Sequence, residues 1–240
     1  MCYIPASMTT AANTKTDLLL FDIDGTLITS GGAGEHAINL AIRDQFGCET
    51  GLTGIEIAGR TDSYITRRVL ERHGVEPTPE RITAFLDHYL GHLAAELPRR
   101  EGRLLPGILA LLDAIKARPH VALALLTGNL ARGAQLKLVH YGVWDYFEFG
   151  AYADDSDNRN LLGPVARERA RERHGVEFPT ERITVLGDTP HDIECGRAIG
   201  ARTVAIATGN YTLDELAAHR PDLLYADLSD PERVLADLGL

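Results

Sequence analysis

The chain has 240 residues, 45% of them hydrophobic, a net charge of −10 and three cysteines. That length buries an ample core without disulfides, and the acidity argues against a nucleic-acid partner, which needs a basic face. No apolar stretch approaches the roughly 20 residues of a membrane helix. Cys2, Cys48 and Cys195 have no zinc-site spacing, and a reducing, cytoplasmic compartment suits them.

Residues 1–16 have no basic start followed by a long apolar run and read as a loose tail. Leu18-Leu19-Leu20-Phe21 then drives straight into Asp22-Ile23-Asp24-Gly25-Thr26. A short continuous apolar run bounded by a turn signal predicts a strand buried on both faces. Unpaired charge is costly to bury. The two acids therefore belong at the strand's carboxyl end, where open parallel sheets hold their ligands. Residues two apart on extended backbone point to one side, so Asp22 and Asp24 can work as a pair. Taken alone, the same residues also make an ordinary strand stop.

Gly31-Gly32-Ala33-Gly34 lacks the Gly-Lys-Ser/Thr ending of a phosphate loop and reads as a hinge. Helices are predicted at Glu35–Phe46, at Thr61–His73 and from Thr78-Pro79 onward. The last carries Ile82, Phe85, Leu86, Tyr89, Leu90 and Leu93 on one side. No strand alternation interrupts residues 31–103, which read as a helical module inserted into another domain. Arg99, Arg100 and Arg103 mark a solvated linker at its end.

From Leu104 the pattern alternates. Helices are predicted at Pro106–Ala117, Asn129–Tyr141, Asn160–His174, Pro190–Ile199, Leu213–His219 and Pro231–Leu238. Strands are predicted at Val121–Leu126, Phe147–Tyr152, Ile183–Leu186, Thr203–Ala207 and Leu223–Tyr225. Alternation of this kind predicts an α/β fold, a parallel sheet covered on both faces, built from residues 17–30 and 104–240. Glu71-Arg72-His73-Gly74-Val75-Glu76 recurs as Glu172-Arg173-His174-Gly175-Val176-Glu177. The flanks differ, so both copies read as a glycine-stopped helix end, where a positive histidine is favourable.

Polar clusters follow the apolar strands. Thr127-Gly128-Asn129 offers a hydroxyl and free amides at a helix start, a cradle for an oxyanion. Gly187-Asp188-Thr189-Pro190-His191-Asp192 adds two acids, and Asp154-Asp155-Ser156-Asp157-Asn158-Arg159 brings one cation. Crowded carboxylates repel one another. Oxygen ligands with water and phosphate describe a magnesium site, and Mg2+ relieves the conflict. His191 reads as a loop residue.

The ordered set DIDGT, LLTGN, an isolated basic residue and GDTPHD resembles the haloacid dehalogenase superfamily of phosphoryl-transfer enzymes, in its phosphoglycolate phosphatase and β-phosphoglucomutase branch. The resemblance spans the chain from about Asp17 onward and implies a Rossmann-like three-layer core with a mobile helical cap. It implies that Asp22 is the nucleophile, forming an aspartyl-phosphate, and that Asp24 protonates the leaving oxygen and then activates water. Thr127 and the Gly128 and Asn129 amides would hold the phosphoryl oxygens, and Arg159 would neutralise charge on them. Asp22, the backbone carbonyl of Asp24 and Asp188 would hold magnesium, with Asp192 in support. The family's third motif usually has lysine. Here Arg159 is the first candidate, with Arg169 and Arg171 as alternatives.

The second acid, Asp24, favours phosphate esters over carbon–halogen bonds. Gly54 to Asp62 reads as the loop over the site. Arg60 there would grip a substrate carboxylate or second phosphate, or else pair with Asp62. The implied function is a Mg-dependent phosphatase acting on a small soluble phosphorylated metabolite, as a monomer or homodimer. The alternatives are a sugar-phosphate mutase on the same scaffold and a non-catalytic phospho-acceptor, for which Asp24 and the cap would have no use.

Overall fold

The computed structural model describes residues 15–48 and 51–240. Among them run the strands β1 (Asp17–Phe21), β2 (Ile28–Thr29), β3 (Arg103–Leu104), β4 (Val121–Leu126), β5 (Phe149–Ala151), β6 (Ile183–Gly187), β7 (Arg202–Ile206) and β8 (Leu223–Tyr225). Six of these form one parallel sheet in the order β5-β4-β1-β6-β7-β8. Side chains alternate across a strand, and β1 shows it. Leu18 and Leu20 pack with Ala122, Ala124 and Ile183 on one face. Leu19 and Phe21 pack with Val121, Leu123 and Leu125 on the other. Both faces are covered, which is why these strands are apolar throughout.

The covering layers are helical. α4 (Ile108–Lys116), α5 (Ala131–His140) and α9 (Pro231–Leu238) lie on the Phe21 face. α6 (Leu162–His174) and α7 (Pro190–Ala198) lie on the Leu20 face, and Cys195 is a buried core residue of α7. A short α8 (Leu213–Ala218) buries Leu216 against Ala205 and Ile193. The core is a three-layer, Rossmann-like α/β fold.

α1 (Ala33–Phe46), α2 (Asp62–Arg72) and α3 (Pro79–Glu96) build a second core of their own around Ile38, Ile42, Val69, Phe85 and Tyr89. Thr61 caps α2 by accepting from the Tyr64 amide at 3.1 Å, and Thr78 caps α3, with Pro79 in its first turn. The chain leaves the sheet through β2 and returns through β3. These two pair antiparallel, Ile28 opposite Leu104 and Thr29 opposite Arg103. No described helix is long and apolar enough to cross a membrane.

Several expectations are corrected. The tail expected through Thr16 is anchored before that point. Lys15 Nζ donates to the Val121 carbonyl at 2.7 Å and the Thr16 amide to the His120 carbonyl at 2.8 Å; residues 1–14, Cys2 included, lie outside the described residues. The helix expected from Asn129 starts at Ala131, because Asn129 turns its side chain to the cleft described below. Its first amides are capped from afar, Leu130 by Asp62 at 2.9 Å and Ala131 by Asp154 at 2.7 Å. Arg99 and Arg100 do not stand free, since both pair with the buried Glu96 carboxylate. His73 and His174 do end helices, but packing explains them better than charge. His73 stacks on Phe46 with ring centroids 4.2 Å apart. Burial lowers the His174 pKa beside Phe149 and Phe178.

Candidate active site

β4, β1 and β6 are neighbours in register, with Phe21 opposite both Leu125 and Leu186. The residues that follow their carboxyl ends therefore meet at one edge: Asp22 after β1, Thr127 after β4 and Asp188 after β6. A cleft of about 350 Å³ opens there. Asp22, Asp24, Asn129, Arg159 and Asp188 line it from the sheet side, and Ile57 to Arg60 line it from the helical side.

Asp22 is 5% exposed. Arg159 Nη2 lies 3.0 Å from Asp22 Oδ1, but without hydrogen-bond geometry, so this buried oxygen accepts from no donor. Burial pushes the Asp22 carboxyl up to about 6, against the pull of Arg159 and with repulsion from Asp192 and Asp24. Burial, then Asp192 and Asp22, raise Asp188 well above the usual carboxylate range. Burial alone would weaken the hold of Arg159 on its proton, but the flanking Asp192 and Asp22 carboxylates outweigh it.

Oxygens of Asp22, Asp188 and Asp192 lie within 4.8 Å of one another, all buried. Three mutually repelling carboxylates, one with a donorless oxygen, are a chemically apt set for a hard divalent cation. The three are not equally free. Asp192 Oδ2 accepts from the Thr189 amide at 3.0 Å and its hydroxyl at 2.7 Å, closing a capping box on α7, and its other oxygen takes Arg159. Asp24 stands outside this group. Its Oδ2 accepts from Lys137 Nζ at 2.5 Å and Asn129 Nδ2 at 2.9 Å.

Thr127 is fully buried, and its Oγ1 accepts from Asn129 Nδ2 at 2.9 Å. Of the candidate third-motif cations, Arg159 alone reaches Asp22: Arg169 pairs with Asp155 and Arg171 with Glu168. Arg60 lines the cleft, but its guanidinium pairs with Glu56 at 2.5 Å and lies over Tyr64. The Arg60–Asp62 pairing is not what forms. Asp62 faces the core, donating its amide to the Gly128 carbonyl at 2.7 Å and capping Leu130. His191 makes loop contacts, to Glu56 at 3.3 Å and Glu194 at 3.6 Å.

The helical loop sits hard against the core. A Cβ at Gly128 would meet the Arg60 carbonyl oxygen at 2.2 Å, and one at Gly59 would meet Thr189 Oγ1 at 2.6 Å. Only glycine permits that approach. Lys137 is the site residue that sequence reasoning misses. A lysine late in an amphipathic helix reads as solvated, yet this one is 3% exposed. A signal was available: buried lysines are almost always paired, and Lys137 follows Gly133-Ala134 on the face that meets the sheet edge.

Comparison with known proteins agrees with this fold. The family model described as HAD-hydrolase-like matches residues 162–231, a span holding Asp188 and Asp192. The chain is 26% identical over 215 residues to Probable phosphatase IndB of Dickeya dadantii, covering 89% of this chain and 90% of that protein. A predicted phosphoglycolate phosphatase from Haemophilus somnus superposes with TM-score 0.68 at 22% identity, covering 92% of this chain and 98% of the other. The β-phosphoglucomutase of Clostridium difficile superposes with TM-score 0.69 at 16% identity, covering 93% and 97%. At such identities the structural likenesses speak for the fold. Fold, ordered motifs and the partial family model all resemble haloacid dehalogenase-like proteins. The chain is similar to the hydrolases of that superfamily, and its fold is the one shared by the phosphoglycolate phosphatase and β-phosphoglucomutase structures.

Proposed function

We propose that the chain is a magnesium-dependent phosphatase that hydrolyses a small soluble phosphomonoester, phosphoglycolate-like or sugar-phosphate-like, through an aspartyl-phosphate. The observation that carries this reading is the Asp22 carboxylate. It lines the cleft 3.0 Å from Arg159, and the second acid of its motif lines the same cleft.

In the first half-reaction an Asp22 oxygen attacks phosphorus, and the ester oxygen departs with a proton from Asp24. In the second, Asp24 takes a proton from water as that water attacks the phosphorus, which frees inorganic phosphate and restores Asp22. Arg159 balances charge on the phosphoryl oxygens. Amides of the Gly128–Asn129 turn, below α5, receive the same oxygens. Lys137 and Asn129 fix the orientation of the Asp24 carboxylate. Asp22, Asp188 and the Asp24 carbonyl would hold Mg2+, with Asp192 supporting through Arg159. When bound, the ion would neutralise negative charge that otherwise opposes attack on an anionic phosphate. Arg60, which lines the cleft, would read the far end of the substrate on leaving Glu56.

The test is phosphate release from a panel of phosphomonoesters, phosphoglycolate and hexose phosphates among them, with and without Mg2+. Asp22→Asn should cut release by at least about 10³-fold, as loss of a nucleophile does; retained turnover overturns the assignment. The likeness in fold to a β-phosphoglucomutase, with a loop seated over the cleft, favours a second reading in which phosphate returns to the substrate. Incubation with a hexose 1-phosphate separates the two: free phosphate supports the phosphatase, the 6-phosphate the mutase.

A further inference from the structure

A second cluster of ligating side chains lies in the helical layer. Asp44, in the last turn of α1, faces His88 and His92 of α3. The two histidines are four residues apart, so they share one helix face. His88 Nε2 and His92 Nε2 lie 3.2 and 3.0 Å from the same atom, Asp44 Oδ2. The three ligand atoms all fall within 4.8 Å of one another. None of the three residues lines the catalytic cleft.

We propose that Asp44, His88 and His92 bind a divalent transition-metal ion, with Zn2+ the best match to the donor set. In a tetrahedral zinc site the ligand atoms sit about 2.0–2.1 Å from the ion, which puts neighbours roughly 3.3 Å apart. The two Nε2–Oδ2 separations are close to that edge length. Both imidazoles converge on one carboxylate oxygen, so little rearrangement is needed for an ion to take the place of the hydrogens between them. Arg43 Nε, at 3.6 Å, faces the other oxygen, Oδ1, and leaves Oδ2 to the histidines. His88 is half exposed and His92 less so, which leaves a coordination position open to water.

Donor chemistry separates this site from the cleft. Two imidazoles and one carboxylate select a borderline ion such as Zn2+, Co2+ or Ni2+. The all-carboxylate set at Asp22 and Asp188 suits Mg2+. A bound ion would pin α1 to α3. The first turns of α1 supply Gly34, Glu35 and Ile38 to the cleft wall, so the clamp would stiffen one side of the substrate's enclosure.

The experiment titrates Co2+ into the intact protein in excess Mg2+, which fills the carboxylate site, and follows visible absorption. One equivalent should give the intense bands of low-symmetry, nitrogen-ligated Co2+, and Zn2+ should abolish them. H88Q and H92Q each lose a direct ligand. Each should weaken Co2+ binding by more than the roughly 10–100-fold that loss of an outer partner costs. Zn2+ should raise the thermal midpoint of the wild type and leave that of H88Q/H92Q unmoved, while Mg2+-dependent turnover survives in the double variant. Absent bands in the wild type, or equal bands in wild type and double variant, overturn the proposal.

Discussion

Lys137 Nζ lies 2.5 Å from Asp24 Oδ2 and 2.6 Å from Asn129 Oδ1, so one buried ammonium ties the second acid of the first motif to the end of the second. Replacing it strands two polar groups and frees the Asp24 carboxylate to rotate. Lys137→Met should lower kcat on the order of 10²-fold, the scale of losing a positioned acid–base group. Lys137→Arg should not restore it, because a planar fork cannot occupy the space of a compact ammonium. Steady-state kinetics on a phosphomonoester decide the matter, and an unchanged kcat would remove Lys137 from the site.

Arg159 bridges Asp22 and Asp192 in the interior. Removing one partner of a buried ion pair leaves uncompensated charge, at a cost of about 3–5 kcal/mol. Arg159→Met should lose stability on that scale in urea denaturation without metal. Added Mg2+ should restore part of it, since a ligand that binds only the folded state stabilises it. Equal stability of variant and wild type would show that the bridge carries no weight.

Asp62 carries a pH signature. Burial pushes its carboxyl from 3.8 up to about 6, opposed by Lys137 and by the Leu130 amide. An acid whose folded pKa is raised binds protons more tightly when folded, so stability falls as pH rises through that window and levels off above it. Asp62→Asn keeps an acceptor for the Leu130 amide and removes the titration. It should be more stable than wild type at neutral pH, by on the order of 2 kcal/mol. The gap should close as pH falls below 4. A gap that does not vary with pH would contradict the assignment.

Gly128→Ala places a methyl group where the Arg60 carbonyl now sits, at 2.2 Å. The loop from Ile57 to Arg60 must then lift from the core. A displacement of about 1 Å near reacting groups costs roughly 10²-fold in rate, so kcat/KM should fall by that order with only a small change in thermal midpoint. Unaltered kinetics would mean that the seated loop is dispensable.

What the sequence revealed and what it hid divide along physical lines. β1, β4 and β6 were legible because burial on both faces forces unbroken apolar runs, and the acids after them could only lie at strand ends. Arg159 was legible as an isolated cation, although its alternatives fell away only when Arg169 was seen on Asp155. Lys137 and Asp62 were hidden because their roles are tertiary. Each is the kind of residue that ordinarily keeps a helix soluble, and only the packing of α2 and α5 against the cleft turns them inward. The partner of Arg60 was misjudged for the same reason: Asp62 was already engaged with Leu130, which left Glu56.

The short ribbon of Ile28–Thr29 against Arg103–Leu104 gives the helical insertion a single narrow root. Departure and return occupy adjacent positions, about 5 Å apart as in any strand pair. The ribbon itself thus sets no further condition on the polypeptide spliced between them. A tight hairpin joining Thr29 to Arg103 would leave the parallel register undisturbed, and an unrelated module grafted at the same root would hang over the same row of acids.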